Sequence, residues 1–69
     1  MSMQFANILI ALRTEKNLSQ KGLADQIGIS KGCISFWENG LREPKLSNLI
    51  ALSKFFGVSI DYLAGLKDY

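Results

Sequence analysis

Five times along this chain, a residue that tolerates a left-handed backbone is followed at once by an apolar one. The pairs are Asn17-Leu18, Gly28-Ile29, Gly40-Leu41, Gly57-Val58 and Gly65-Leu66. Glycine and asparagine reach positive φ at little cost, and an apolar residue just beyond can fold back on the last helical turn. Each pair is therefore the sequence form of a helix end. Three of them run directly into serine, at Ser19, Ser30 and Ser59, and serine is a preferred cap for the start of a new helix. Helices must stop and restart within about three residues, a spacing found in closely packed helical domains.

The segments between these marks carry apolar residues at helical spacing: Phe5, Ile8, Leu9 and Leu12; Leu23, Ala24 and Ile27; Ile34 and Trp37; Leu49, Leu52 and Phe56, with Leu46 just ahead; Ile60 and Leu63. No stretch alternates with period two, so no strand is expected. Pro44 falls between the third and fourth segments, where it interrupts neither. The expectation is an all-α chain, one domain over residues 1–69. Five short helices surround one core, with helix 2 over about 19–27 and helix 3 over about 30–39.

A chain of 69 residues buries only about 60% of its unfolded surface, so natural domains of this size lean on disulfides, metals or partners. Cys33 is the only cysteine and there is no histidine. That excludes a disulfide framework and argues against a metal site or other cofactor, leaving close helix packing, dimerisation, or both. Cys33 itself reads as a small buried hydrophobe, and a lone thiol suits a reducing, cytoplasmic setting. The apolar start, "MSMQFANILIALR", has no basic lead and meets charge within eight residues of Phe5. It is neither a signal peptide nor a membrane span. Eight Lys and Arg against six Asp and Glu give a net charge of +2, too mild to identify a nucleic-acid partner alone. An enzyme is disfavoured, since neither a metal constellation nor a phosphate loop is present.

Helices 2 and 3 are joined by the three residues "GIS". So short a turn needs positive φ, which Gly28 supplies, and a small side chain at the crossing, which Ala24 supplies. Ile34 and Trp37 plug the second helix into the core. These are the physical requirements of a helix-turn-helix. The stretch "QKGLADQIGISKGCISFWENG" resembles that motif in the phage repressor and Cro-type family. The flanks "LIALRTEKNLSQ" and "REPKLSNLIALSKFFGVSIDYLAG" resemble the same family's first, fourth and fifth helices. The resemblance covers about Phe5 to Leu66. It implies an Arg–Glu bridge between Arg13 and Glu38, fixing helix 3 against helix 1.

It also implies double-stranded DNA as partner, with helix 3 in the major groove. Lys31, Gly32, Ser35 and Phe36 lie on the outward face of helix 3 and are the candidate base readers, with Asn39 one turn beyond. Lys31 can donate to guanine, Ser35 can donate or accept, and Phe36 can pack on a thymine methyl. Ser19 and Ser30, at two helix starts, Gln20, Asn39, and the loop cations Arg42 and Lys45 are the candidate phosphate contacts. Gly22, Gly32 and Phe36 depart from the family pattern. A glycine at 22 forgoes the acid of a capping box. At Gly32 two readings stand open: a missing side chain lets the helix approach a base closely, or the first turn simply tolerates a weak residue.

One module of this size buries little DNA surface, so a homodimer is expected. Ile10, Ile60, Tyr62, Leu66 and Tyr69 are the candidates for its contact. The sequence-based conclusion is a sequence-specific transcriptional regulator, a repressor on a pseudo-palindromic operator, with no small-molecule effector evident. The alternative is a protein-interaction module, an antitoxin or adaptor built on the same fold.

Overall fold

The structure, a computed structural model, describes residues 2–68, with side chains from residue 4 onward. It consists of α1 (Ser2–Glu15), α2 (Gln20–Ile27), α3 (Lys31–Glu38), α4 (Leu46–Phe56) and α5 (Ile60–Leu63). No strand occurs among the described residues.

All five expected helix ends are built alike. Asn17, Gly28, Gly40, Gly57 and Gly65 have φ of 57°, 75°, 70°, 69° and 78°. In each case the apolar residue that follows donates its backbone N–H to the carbonyl five residues back. The bonds run Leu18 to Arg13 (3.2 Å), Ile29 to Ala24 (3.0 Å), Leu41 to Phe36 (2.9 Å), Val58 to Ser53 (3.2 Å) and Leu66 to Asp61 (2.8 Å). This bond closes a Schellman-type end and satisfies carbonyls that a helix otherwise leaves open. The three serines cap as expected. The hydroxyls of Ser19, Ser30 and Ser59 accept from the N–H groups of Gly22, Cys33 and Tyr62. The first residue of α4 is preceded by Lys45, which makes no side-chain cap.

The core is Phe5, Leu9, Leu23, Ala24, Ile34, Trp37, Leu49, Leu52 and Leu63, with Ile8, Leu12, Ile27, Phe56 and Ile60 packed around it. Ala6 is also fully buried. The rings of Phe5 and Trp37 meet edge to face, 6.1 Å between centroids, tying α1 to α3. Burying side chains of this size contributes about 1.5–3 kcal/mol each. Short helices such as α2 and α3, each with an internal glycine, depend on that packing more than on their own propensity.

Two sequence expectations need correction. Leu46 is not an apolar lead-in to the core: it is the first residue of α4 and 65% exposed, while Pro44, two residues earlier, is buried in its stead. Cys33 is half-buried, not buried. It stands in the first turn of α3, where the helix is only entering the core, and Ser30 Oγ donates to its sulfur at 3.3 Å. Among the described residues no helix is long and apolar enough to cross a membrane.

Candidate nucleic-acid interface

The short turn at Gly28 sets α2 against α3, and the carbonyl of Ala24, a residue 1% exposed, accepts the Gly28 and Ile29 N–H bonds that close the turn. With Ile34 and Trp37 committed to the core, the opposite face of α3 is fixed toward solvent. Lys31, Gly32 and Phe36 are exposed there and Ser35 is half-buried. Lys31 and Ser35, and Gly32 and Phe36, are each four residues apart, so they stack along one side of the helix. Asn39 closes that side. Its amide donates to the Ser35 carbonyl at 2.8 Å and stands 3.4 Å from the Ser35 hydroxyl, so a donor expected to face phosphate is turned onto its own helix end.

Behind this face, α3 is braced. Arg13 reaches from the end of α1 to Glu38 with two bonds, Nε to Oε2 at 2.6 Å and Nη2 to Oε1 at 3.0 Å. Its Nη1 donates to the Leu18 carbonyl at 2.7 Å. The side chains are only 15% and 5% exposed. The Glu38 hydrogen bond, helped by the carboxylate charge, raises the Arg13 pKa further above its ordinary value, although partial burial pulls the other way. The bridge expected from the resemblance is therefore present, and it fastens α1, the first turn and α3 together.

Gln20 joins the same cluster. Its Nε2 donates to Glu38 Oε1 at 3.0 Å. The sequence placed Gln20 against a phosphate and missed this bond. A polar residue at a helix start gives no sequence signal of a carboxylate 18 residues away. With Nε2 held, the N-terminal N–H groups of α2 and α3 that the serine caps do not use are the donors these helix starts can offer an anion.

The other arrangement the sequence missed lies beyond α3. Arg42 and Lys45 are exposed on the loop, as expected, but the Arg42 guanidinium carbon sits 4.5 Å from the centroid of the Phe36 ring. Gly40-Leu41 signalled only the backbone reversal that returns the chain toward the last turn of the helix, not the side-chain contact made there. Of the dimer candidates, Ile60 packs on the core, Ile10 and Tyr62 are half-buried, and Leu66 is 75% exposed. Tyr69 lies outside the described residues.

Known proteins are similar to this chain in sequence and in fold. Residues 9–63 match the model of a helix-turn-helix family. The chain is 48% identical over 61 residues to the HTH-type transcriptional activator BcrR of Enterococcus faecalis, covering 88% of this chain and 30% of that protein. It is 42% identical over 53 residues to the repressor protein C2 of Salmonella phage P22, covering 77% of this chain and 24% of that one. It thus spans a third or less of the length of either relative. Among solved structures, the DNA-binding domain of the P22 C2 repressor superposes with a TM-score of 0.81 at 32% identity, covering 100% of this chain and 93% of that domain. Five helices, a left-handed turn between α2 and α3, and a match across 9–63 place the chain in the helix-turn-helix family, on the fold of the phage repressor DNA-binding domains.

Proposed function

We propose that this chain binds double-stranded DNA and regulates transcription, laying α3 in the major groove. The observation that carries the reading is the divided surface of α3. Ile34 and Trp37 are sunk in the core, and Glu38 is held by Arg13. Lys31, Gly32 and Phe36 are exposed on the opposite side, with Arg42 against the Phe36 ring. A helix braced so firmly from behind presents a fixed face, as base reading requires. Lys31, Gly32, Ser35 and Phe36 read bases in this scheme. Ser19, Ser30, Arg42 and Lys45 hold the backbone, joined by Gln20 and Asn39 when their amides swing away from Glu38 and Ser35. The similar proteins support the reading, since BcrR and the P22 C2 protein are by name a transcriptional activator and a repressor.

The domain acts as a homodimer on a pseudo-palindromic operator, because a single module of this size covers little DNA. Ile10, Tyr62, Leu66 and Tyr69 are the proposed contact residues, with Ile60 packed on the core. Repression is the proposed sign, since occupying an operator needs no further activating surface. The reading excludes an enzyme and places the protein in the cytoplasm, where the DNA is. A second reading, a protein-interaction module, draws on one observation: Leu41, Leu46 and Ile50 are exposed apolar residues, at 69%, 65% and 40%. Selection of bound sequences from random DNA tests both. A preferred site in two half-sites about one helical turn apart is the expected result. Recovery of no preferred sequence would favour the protein partner.

A further inference from the structure

We infer that Arg42, outside α3, is a specificity-determining residue: its guanidinium, stacked on the Phe36 ring, holds that ring in the position from which it reads a base. The inference rests on the proposed placement of α3 in the major groove. It gives Arg42 a second task besides a phosphate contact.

Phe36 is 39% exposed on the last turn of α3. A surface aromatic with one free side is only loosely held at its side-chain torsions. Here the chain turns back at Gly40, and the Leu41 N–H bonds to the carbonyl of Phe36 itself at 2.9 Å. Arg42 is the next residue, and its guanidinium carbon lies 4.5 Å from the ring centroid, well inside the range of about 6 Å for cation–π attraction. Glu43, the neighbouring carboxylate, is not paired with it. Glu38 is already bound by Arg13 and Gln20, and among the described residues Arg42 enters no ion pair.

A guanidinium can lie on an aromatic face through its plane while its edge N–H groups stay available to donate. Arg42 can therefore hold the ring and donate to a phosphate or base at once. Lysine holds a ring less firmly, because its ammonium is a compact point charge that has no planar face to lay on it. Pinned on one side by Arg42, the ring offers its remaining surface to an apolar group, and in the major groove that group is the thymine methyl.

Arg42→Lys separates the two tasks. Wild type, Phe36→Ala, Arg42→Lys and the double variant are titrated with the selected operator, each single-base variant of it, and random DNA, at two salt concentrations. Both side chains are exposed, and a thermal melt checks that the fold persists. The expected result is that Arg42→Lys changes the salt slope little, because the charge is retained. At the one base pair that Phe36→Ala relaxes, it loses discrimination by about fivefold, and the double variant loses no more than Phe36→Ala alone. Uniform weakening on every DNA, no change, or a loss at a different base pair would overturn the inference. So would additive losses in the double variant. If the wild type prefers no sequence, the DNA-reading function falls and the inference with it. If Phe36→Ala relaxes a preference that Arg42→Lys leaves intact, the inference alone falls.

Discussion

Arg13 and Glu38 stand 25 residues apart in the chain and meet through two hydrogen bonds of 2.6 and 3.0 Å, with the Leu18 carbonyl as a third partner of the guanidinium. The pair is the mechanical link between α1 and the outward-facing α3. Its position explains why α3, only eight residues long, can present a fixed surface. Two-pronged geometry limits the loss of side-chain freedom per bond, and shielding from water keeps the attraction from being screened.

Breaking that pair from one side leaves a largely buried charge without its partner. Arg13→Ala is expected to cost about 3 kcal/mol, a large part of the stability of so small a domain. Replacing both partners by apolar residues, Arg13→Met with Glu38→Leu, is expected to recover most of the loss, because a buried ion pair and a well-packed apolar pair are of similar worth. Thermal melts of the three variants check this. A double variant no better than Arg13→Ala would mean that the bridge contributes through geometry the apolar pair cannot supply. Toward alkaline pH the sign is fixed by the raised Arg13 pKa: this stability is fully present below the ordinary guanidinium value and is lost only above it. The melting temperature should therefore show no step from this pair between neutral pH and about pH 10.

Gly28 carries a second prediction. Its φ is +75°, and a Cβ added there would find nothing within 4 Å. The whole cost of Gly28→Ala is then backbone strain, about 1–2 kcal/mol. Denaturant unfolding should show a lower midpoint with an unchanged slope. A neutral result would show that the α2–α3 turn accepts another geometry.

Helix ends were legible in the sequence because they are local: a left-handed residue, an apolar follower and a serine each act within a few positions, and all five ends formed as read. The core was legible for the same reason, helical spacing being a short-range signal. What escaped was lateral. The Gln20 amide on Glu38 and the Arg42 guanidinium on Phe36 depend on which rotamer a long side chain takes after the backbone has folded. Leu46 escaped because its spacing from Leu49 fits a buried stripe, while in the fold Pro44 is buried and Leu46 faces outward. Arg13–Glu38 was legible only through the family resemblance. No rule of spacing joins two residues so far apart in the chain.

Lys45 and Lys31 should separate backbone contacts from base reading. Both are exposed, and among the described residues neither has a hydrogen bond or ion pair. Lys45→Ala is expected to weaken binding to all DNA alike and to reduce the salt slope by about one unit. Lys31→Ala is expected to lose about 1–3 kcal/mol of discrimination at one G·C pair. Titrations across operator variants at several salt concentrations measure both. Identical profiles for the two variants would mean that α3 holds the backbone instead of reading bases.

Gly32 lies in the first turn of α3, and only Ser30 Oγ, at 3.8 Å, comes near a Cβ built on it. Its φ is not in the left-handed region, so alanine enters without strain or clash. Gly32→Ala should therefore stabilise the fold by about 0.5 kcal/mol, through helix propensity and a less mobile unfolded chain. The same methyl group points to the side where DNA is proposed to lie, and there it should obstruct. Affinity for the preferred operator is expected to fall even as the melting temperature rises. That opposition distinguishes the two readings of this glycine. Close approach to DNA trades stability for contact, as sites shaped by function commonly do. A variant that melts higher and binds as before would make Gly32 a residue that the first turn merely tolerates.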